Sequence, residues 1–374
     1  VQAAAQLVVA AFGNDALERV VLGEVRTVVE QPAIELTYTL LDFGDRSGTA
    51  RAAQELLTSA NFQFNRTVQQ VVYQVHRRFF ALAAAQGAVE ANKHSKDDAE
   101  QSMRVAQKGF EVGIRPKSDL LLAESSLRRA EFQLASSSAT LERSRAGLAE
   151  VLGVQIGPDL EILTPDLNAL HSAFAPSDRK VSDLIESALS KRPDLLSTYA
   201  EARAADADID VIIGKALPRL VTRMNASVTE TNGSTDEEKN YDLGIGVEVP
   251  LFTGFSYYYA LRKAEAERDR SMQLARQGQL SVASQVWSAF FNSKAAEDQV
   301  ASAEALLGAS QESQRVLLRG YQEGSSSLLD LLTAQTSLAL ARQTMIAAQA
   351  DWAVSIAELA LACGELKPEP VLTK

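Results

Sequence analysis

An internal duplication constrains this chain more than any other feature of its sequence. The segment Tyr321–Leu338 (YQEGSSSLLDLLTAQTSL) resembles Phe110–Leu127 (FEVGIRPKSDLLLAESSL), and their turn glycines, Gly324 and Gly113, set the spacing (324 − 113 = 211). This period is far longer than that of a solenoid repeat. The chain therefore contains two copies of one large unit.

The similarity continues on both sides of these segments at the same spacing. Upstream, Val71–Phe80 matches Val282–Phe291, and downstream Gly153 matches Gly364. A duplicated helical hairpin accounts for this repeat, but not for the segments that join the two copies.

Helical patterns fill most of each copy, and glycine interrupts them. The turn at Gly324 is followed by a new helix that Ser326 or Ser327 can cap. The predicted helices cover about 46–109, 118–152, 181–191, 194–216, 260–319 and 328–363.

Two stretches alternate apolar and polar residues with the period of a β-strand. Residues 32–41 form the first, preceded by a weaker candidate at 6–12 and a loop at 13–31 with ragged strand ends. The connector contains a short strand candidate at 160–163. The second is a hairpin of 219–230 and 241–252, followed by aromatic residues up to Tyr259. Strands of about ten residues are long enough to cross a bilayer at a tilt.

Two interpretations of these strands remain open. If they cross a membrane, the chain must oligomerise, because four strands cannot close a barrel and single-chain membrane barrels begin at about eight. Otherwise the protein is soluble, and its hairpins pack against its own helices.

Composition excludes several classes of protein. The net charge of −11 and pI near 5.0 argue against nucleic-acid binding. The single cysteine, Cys363, rules out an internal disulfide framework. We expect no transmembrane helix, since no run of about 18 apolar residues occurs. We also expect a processed or truncated start, since Val1 begins no signal-peptide pattern.

The sequence predicts neither an enzyme nor a cofactor or metal site. The histidines His76, His94 and His171 are scattered and do not have metal-ligand spacing. The GSSS stretch at Gly324 lacks the frame of a nucleophile elbow. A transport function would need a partner to supply energy.

Several segments, in this order along the chain, resemble the outer membrane efflux protein (TolC) family. The resemblance covers nearly the whole sequence. The segments are GLAEVLGV at 147–154, ALSKRPDLLSTYAEARAADADI at 188–209, LPRL at 217–220, VPLFTGF at 249–255 and YQEGSSSLLDLLTAQTSLALARQ at 321–343.

The resemblance implies a mainly α fold with membrane β-structure and two internal repeats. Four transmembrane strands per protomer form a twelve-stranded barrel in a homotrimer, and long antiparallel helical hairpins form an α-barrel tunnel through the periplasm. It places the protein among outer membrane lipids of a Gram-negative bacterium. Its other partners are a periplasmic adaptor (membrane fusion protein) and an inner-membrane pump of RND, ABC or MFS type, with no nucleic acid.

The implied function is a passive exit duct for small molecules in a tripartite efflux pump. A protein exit duct of a type I secretion system is the alternative within the family. A soluble coiled-coil scaffold is the alternative from another class.

The resemblance also implies a periplasmic aperture near the two glycine turns. Asp330 and Asp119 would converge there by trimer symmetry, repel each other and favour cations. Alternatively, each aspartate only stabilises the first turn of its own helix. Tyr321 would hydrogen-bond near Asp119.

Other tip residues follow from the same resemblance. Ser326 stands where some relatives have an arginine, and it faces Ser118. A contact between these two residues, which would hold the two turns together, is therefore at most a neutral hydrogen bond. Thr333 replaces a second aspartate of some relatives. The adaptor would contact the turn residues Val112, Gly113, Ile114, Glu323, Gly324 and Ser325, although glycine termination of a helix also explains these turns.

The predicted domain organisation follows the duplication. Repeat one covers 1–153, a connector 154–180, repeat two 181–364 and a tail 365–374. The ALSKRPDL segment of repeat two has no counterpart in repeat one, so we expect a helical segment of the family to be missing before Val1.

Overall fold

The computed structural model describes residues 6–10, 29–30, 33–155, 180–231 and 237–366. Groups of antiparallel strands alternate with groups of helices. In chain order they are β1 (Gln6–Ala10), β2 (Val29–Glu30), β3 (Ala33–Leu41), α1 (Asp45–Glu111), α2 (Lys117–Leu152), α3 (Val181–Lys191), α4 (Pro193–Ala216), β4 (Arg219–Thr231), β5 (Glu237–Glu248), α5 (Ser256–Glu323) and α6 (Leu328–Ala362).

The predicted helices are confirmed, with ends that shift by a few residues. The largest shift is in α5, which begins at Ser256 and ends at Glu323. Most of the predicted loop at 13–31, the strand candidate at 160–163, most of the 154–180 connector and nearly all of the tail lie outside the described residues.

The second strand of the β4–β5 hairpin was predicted wrongly by four residues. It spans 237–248 instead of 241–252. Pairing of Glu238 with Thr229 and of Lys239 with Val228 extends the ladder into a polar stretch, which hydrophobic alternation cannot reveal. At the other end, Pro250 has no N–H group for a ladder hydrogen bond.

The strands form one antiparallel sheet in which β1 pairs with β3, β3 with β4, and β4 with β5. β2 also pairs with β4, and it does so in the same register as β3, with Val29 opposite Thr231 and Ala33 opposite Ser227. β2 and β3 therefore lie along the same side of β4.

The two faces of this sheet differ in polarity. On one face of β5, Leu243, Ile245 and Val247 are 79%, 72% and 65% exposed. On the other face, Glu248 accepts a hydrogen bond from Arg219 at 2.7 Å and another from Arg223. The apolar face is thus not covered by the chain's own described helices.

The chain divides into two compact units that do not follow the sequence repeats. One unit contains residues 1–60 and 197–275, and the other contains 61–196 and 276–374. Each unit therefore takes a corresponding part from both copies.

In the unit with the sheet, α1 and α4 approach closely. A Cβ on Gly214 would lie 2.4 Å from the backbone nitrogen of Asp45. The hydroxyl groups of Ser59 and Ser197 are 2.8 Å apart in a buried contact. Small residues allow this close approach.

In the other unit, an alanine-rich core joins α1, α5 and α6. Its larger members are Phe80, Val300 and Trp352, packed with Ala296, Ala303, Ala348 and Ala353. Alanine at the contacts lets long helices pack side by side without a thick core.

Contrary to the sequence expectation, one described helix, α6, is long and apolar enough to cross a membrane. Its most apolar window has a mean hydropathy of 1.3, and 44% of that window is buried against other parts of the protein. Because nearly half of the window is buried, the same pattern is also that of a core helix.

Candidate functional site

The first helical turn closes with a Schellman motif at Gly113. Its φ of 76° lies in the left-handed region. The N–H of Ile114 donates to the carbonyl of Gly109 at 2.9 Å, and the N–H of Gly113 donates to that of Phe110 at 3.0 Å.

The second turn repeats this geometry 211 positions later. Gly324 has a φ of 82°. The N–H of Ser325 donates to the carbonyl of Gly320 at 2.7 Å, and the N–H of Gly324 donates to that of Tyr321 at 3.2 Å. The duplication seen in the sequence is therefore also a duplication of turn conformation.

A buried cluster brings these turns together. It joins α1, α2, α5 and α6 near the tips, and we call it the tip cluster. Its buried members are Ala106, Ala123, Tyr321, Leu328 and Leu331. Tyr321 is the large side chain in the cluster and is fully buried.

The predicted hydrogen bond from Tyr321 near Asp119 is not formed within this chain. The Tyr321 hydroxyl is buried and has no hydrogen-bond partner among the described residues. Burial raises the pKa of Tyr321; the charge of Asp119 raises it further, while Arg115 opposes the change. Asp119 is therefore near enough to act on Tyr321 electrostatically, but does not bond to it.

Arg115 makes the contact that the sequence analysis missed. Its Nη2 donates to the backbone carbonyl of Tyr321 at 2.7 Å, and its guanidinium carbon lies 4.4 Å from the centre of the Tyr321 ring. The repeat contained a signal for this residue, because Arg115 and Ser326 occupy equivalent positions.

The two aspartates occupy different environments. Asp119 is half-buried in the first turn of α2. Asp330 is exposed; its carboxylate accepts a hydrogen bond from Ser327 Oγ at 2.6 Å, and its N–H donates to the same Oγ at 3.2 Å. Ser327 is thus the cap of α6, and the Asp330 carboxylate remains accessible.

The remaining predicted aperture residues do not form a latch within the chain. Ser118 is exposed, and Thr333 donates its hydroxyl to the carbonyl of Leu329 at 2.8 Å. Among the described residues, no hydrogen bond joins Ser326 to Ser118.

The predicted adaptor tips are exposed in both turns, but they differ in chemistry. Val112 and Ile114 of the first turn are 70% and 75% exposed. Glu323, Gly324 and Ser325 form a polar second tip.

Polar contacts tie the two hairpins together above the tip cluster. Gln335 donates from Nε2 to Ser102 Oγ at 2.7 Å and to the carbonyl of Asp98 at 3.1 Å. Arg342 pairs with the carboxylate of Asp98 at 3.0 Å. These contacts fix α1 against α6.

A charged cluster lies at the C-terminal end of α6. Arg192, only 2% exposed, forms two hydrogen bonds to the Asp194 carboxylate, at 3.0 and 2.6 Å, and a longer one to the carbonyl of Ala362. Arg66 donates to the carbonyl of Leu361 at 3.0 Å, and Gln69 donates to that of Gly364 at 3.0 Å. These donors bond to carbonyl groups at and just beyond the C-terminal end of α6, where helical partners run out.

The electrostatics of this cluster favour the ionised form of Asp194. Burial alone would raise its pKa, but hydrogen bonds from Arg192 and the charges of Arg66 and Arg192 outweigh burial and lower the pKa.

Among the described residues, no group of His, Cys, Asp and Glu has the arrangement of a metal site.

The fold is that of an outer membrane channel protein. The structure matches the open state of the Neisseria gonorrhoeae MtrE outer membrane channel with a TM-score of 0.80 and 18% identity, covering 98% of this chain and 82% of that one.

Sequence comparisons identify the family. The profile of the outer membrane efflux protein family matches residues 31–154 and 184–365, and the chain belongs to this family. It is 26% identical over 340 residues to Protein CyaE of Bordetella pertussis, covering 89% of this chain and 70% of that protein. It is 25% identical over 306 residues to the cobalt-zinc-cadmium resistance protein CzcC of Cupriavidus metallidurans, covering 80% and 69%. The protein is accordingly an outer membrane channel protein, and its family and fold are those of channels.

Proposed function

We propose that this chain is the passive outer membrane exit duct of a tripartite efflux pump for small molecules. Three copies surround one pore. A periplasmic adaptor docks on the helical tips, and an inner-membrane pump supplies the energy.

The two-faced sheet is the observation that carries this proposal. Its apolar face is exposed along Leu243, Ile245 and Val247, whereas its other face carries Arg219, Arg223 and Glu248. A barrel with lipid outside and water inside requires this division.

The sheet also supports the trimer. Four strand positions (β1, β2 with β3, β4, and β5) leave two open edges, and lipid cannot satisfy the backbone groups of an open edge. Three copies would pair these edges and close twelve strands, which is above the minimum of about eight for a membrane barrel.

The tips supply the proposed gate. The two turns converge on one buried cluster around Tyr321, with Asp119 half-buried beside it and Asp330 exposed. A ring of Asp330 carboxylates from three copies would attract cations and obstruct anions at the aperture. Opening would then require the hairpins to move at Asp119, Tyr321 and Asp330.

The test is planar-bilayer conductance of the detergent-purified protein, with its mass measured in parallel. We expect stable trimers that give cation-selective steps blocked by divalent cations. Asp330→Asn should weaken both properties, whereas Asp351→Asn should not, because it removes the same charge from an exposed site 21 residues further along α6. Monomers that are soluble without detergent and do not conduct would refute the duct.

The type I secretion duct remains the alternative within the family. Co-expression with a candidate inner-membrane pump and periplasmic adaptor, in a host that lacks its own outer membrane ducts, separates the two functions. Export of dyes or metal ions supports the efflux duct, whereas a protein released into the medium supports the secretion duct.

A further inference from the structure

We infer that Arg115 is a positioning residue that holds the channel entrance closed by fastening the first tip to the end of α5 within one protomer. This inference rests on the proposed duct function and assigns a regulatory role to a residue outside the predicted gate.

The contact joins two hairpins that are separate in the sequence. Arg115 lies in the turn between α1 and α2, and Tyr321 lies in the last turn of α5. Within residues 112–116, all of which the structure describes, Arg115 alone forms a side-chain hydrogen bond to the second hairpin.

The Arg115 guanidinium makes both a hydrogen bond and a cation–π contact with Tyr321. One N–H group donates to the Tyr321 carbonyl at 2.7 Å, and the plane of charge lies over the ring, with Cζ 4.4 Å from the ring centre. Arginine combines a directed hydrogen bond with cation–π attraction, and lysine does this less well.

The end of α5 favours a cation at this position. Carbonyl groups at a helix C-terminus carry partial negative charge. The last turn of α1 contains Lys108, whereas the last turn of α5 contains no basic residue. Arg115 therefore supplies from the other hairpin the positive charge that the last turn of α5 lacks.

Contacts with α1 also fix the position of Arg115. Its N–H donates to the carbonyl of Gly109 at 3.0 Å, and a Cβ on Gly109 would lie 2.5 Å from Arg115 Cγ. The side chain therefore runs against α1, where only glycine leaves room. A preorganised side chain loses less entropy when it forms its contact.

The second repeat does not reproduce this device. Ser326, the counterpart of Arg115, is too short to reach across, and Phe110, the counterpart of Tyr321, is 40% exposed. The first turn therefore contacts α5 in this way, whereas among the described residues the second turn makes no equivalent contact with α1.

The experiment measures two properties of purified trimers. One is the conductance of the closed channel in a planar bilayer. The other is hydrogen exchange, read by mass spectrometry, of the peptide covering 317–327, whose Gly324, Ser325 and Ser326 amides bond to α5 carbonyls. The exchange measurement does not depend on pore activity.

Arg115→Gln should increase the closed-state conductance roughly tenfold, the factor expected when a charged hydrogen bond is lost, and should speed exchange in 317–327. Arg115→Lys should fall between this variant and wild type. Trimer melting should change little, because the tip cluster remains.

A matched control tests the interpretation. Lys117→Gln removes the same charge from an exposed residue two positions away and should behave as wild type.

Exchange in Arg115→Gln equal to wild type would overturn the inference, whatever the conductance. If Arg115→Gln fails to assemble, Arg115→Met decides by the same criterion, because it keeps the packing of the side-chain stem on Gly109. If wild type itself does not conduct, the duct function fails, whereas the exchange result still decides whether Arg115 fastens the tip.

Discussion

At the residue scale, the most unusual side chain is Arg192, a guanidinium that is almost completely buried. Arg192 lies in the segment KRPDL, which is part of the family pattern and contains the start of a predicted helix. Its burial depends on α6 ending beside it, since Arg192 bonds to the carbonyl of Ala362, 170 residues away. Spacing along the chain does not contain that information.

Asp194→Asn should lower the free energy of unfolding by about 2 kcal/mol, because it leaves the Arg192 charge buried with a weaker partner. The effect is less than for a fully buried pair, since Asp194 is 38% exposed. Thermal unfolding followed by circular dichroism in detergent measures it. Lys191→Gln, which breaks the exposed pair with Glu365, should cost at most about 0.5 kcal/mol.

The same pair predicts a pH dependence. Since folding lowers the pKa of Asp194, its contribution to stability is complete above the unfolded-state pKa of about 3.9 and is lost as pH falls through the folded-state pKa. The difference between wild type and Asp194→Asn should therefore shrink below about pH 4. A difference that stays constant from pH 7 to pH 3 would contradict this role.

At the element scale, the helix before each turn ends in the same way in both copies, but the helix after it starts differently. Both turns use a glycine in the left-handed region, at Gly113 and Gly324. The next helix is capped by Ser327 in the second copy, whereas Pro116 holds the equivalent position in the first and offers no side-chain cap. Duplication preserved the turn but not the cap.

Ser327→Ala should destabilise the first turn of α6 by about 1 kcal/mol, because the Asp330 amide loses its acceptor. Faster hydrogen exchange at the Asp330 amide is the measurement. Ser326→Ala is the matched control, since the neighbouring hydroxyl does not cap the helix. Equal exchange in both variants would mean that Ser327 does not act as the cap.

At the scale of the whole molecule, the proposed barrel depends on which face of the sheet meets lipid. Met224 pairs with Leu243 on the apolar face, and Asn225 pairs with Asp242 on the polar face. Neighbouring residues of one strand thus face opposite environments, which makes the orientation testable by single substitutions.

Leu243→Arg should destabilise the membrane-inserted trimer by about 2–4 kcal/mol, because it places a charge in lipid. Asn225→Arg adds the same charge to the polar face and should be tolerated. Urea unfolding in lipid vesicles compares the two variants. Equal tolerance of both would mean that this sheet does not face lipid.

Local sequence patterns are enough to predict the duplication, the six described helices, the approximate positions of β1, β3, β4 and β5, and the family. Each of these depends on local periodicity or on spacing that one chain displays. The glycine turns were predictable because a left-handed residue at a helix end favours glycine, whatever surrounds it.

Which residues meet across the hairpins depends on tertiary packing. Tyr321 was predicted to use its hydroxyl near Asp119, but it uses its carbonyl and ring on Arg115. Polar residues extended β5 to Glu237 by pairing with β4, where hydrophobic alternation had ended. Contacts between residues about 200 positions apart depend on how the helices pack, and local sequence patterns do not specify that packing.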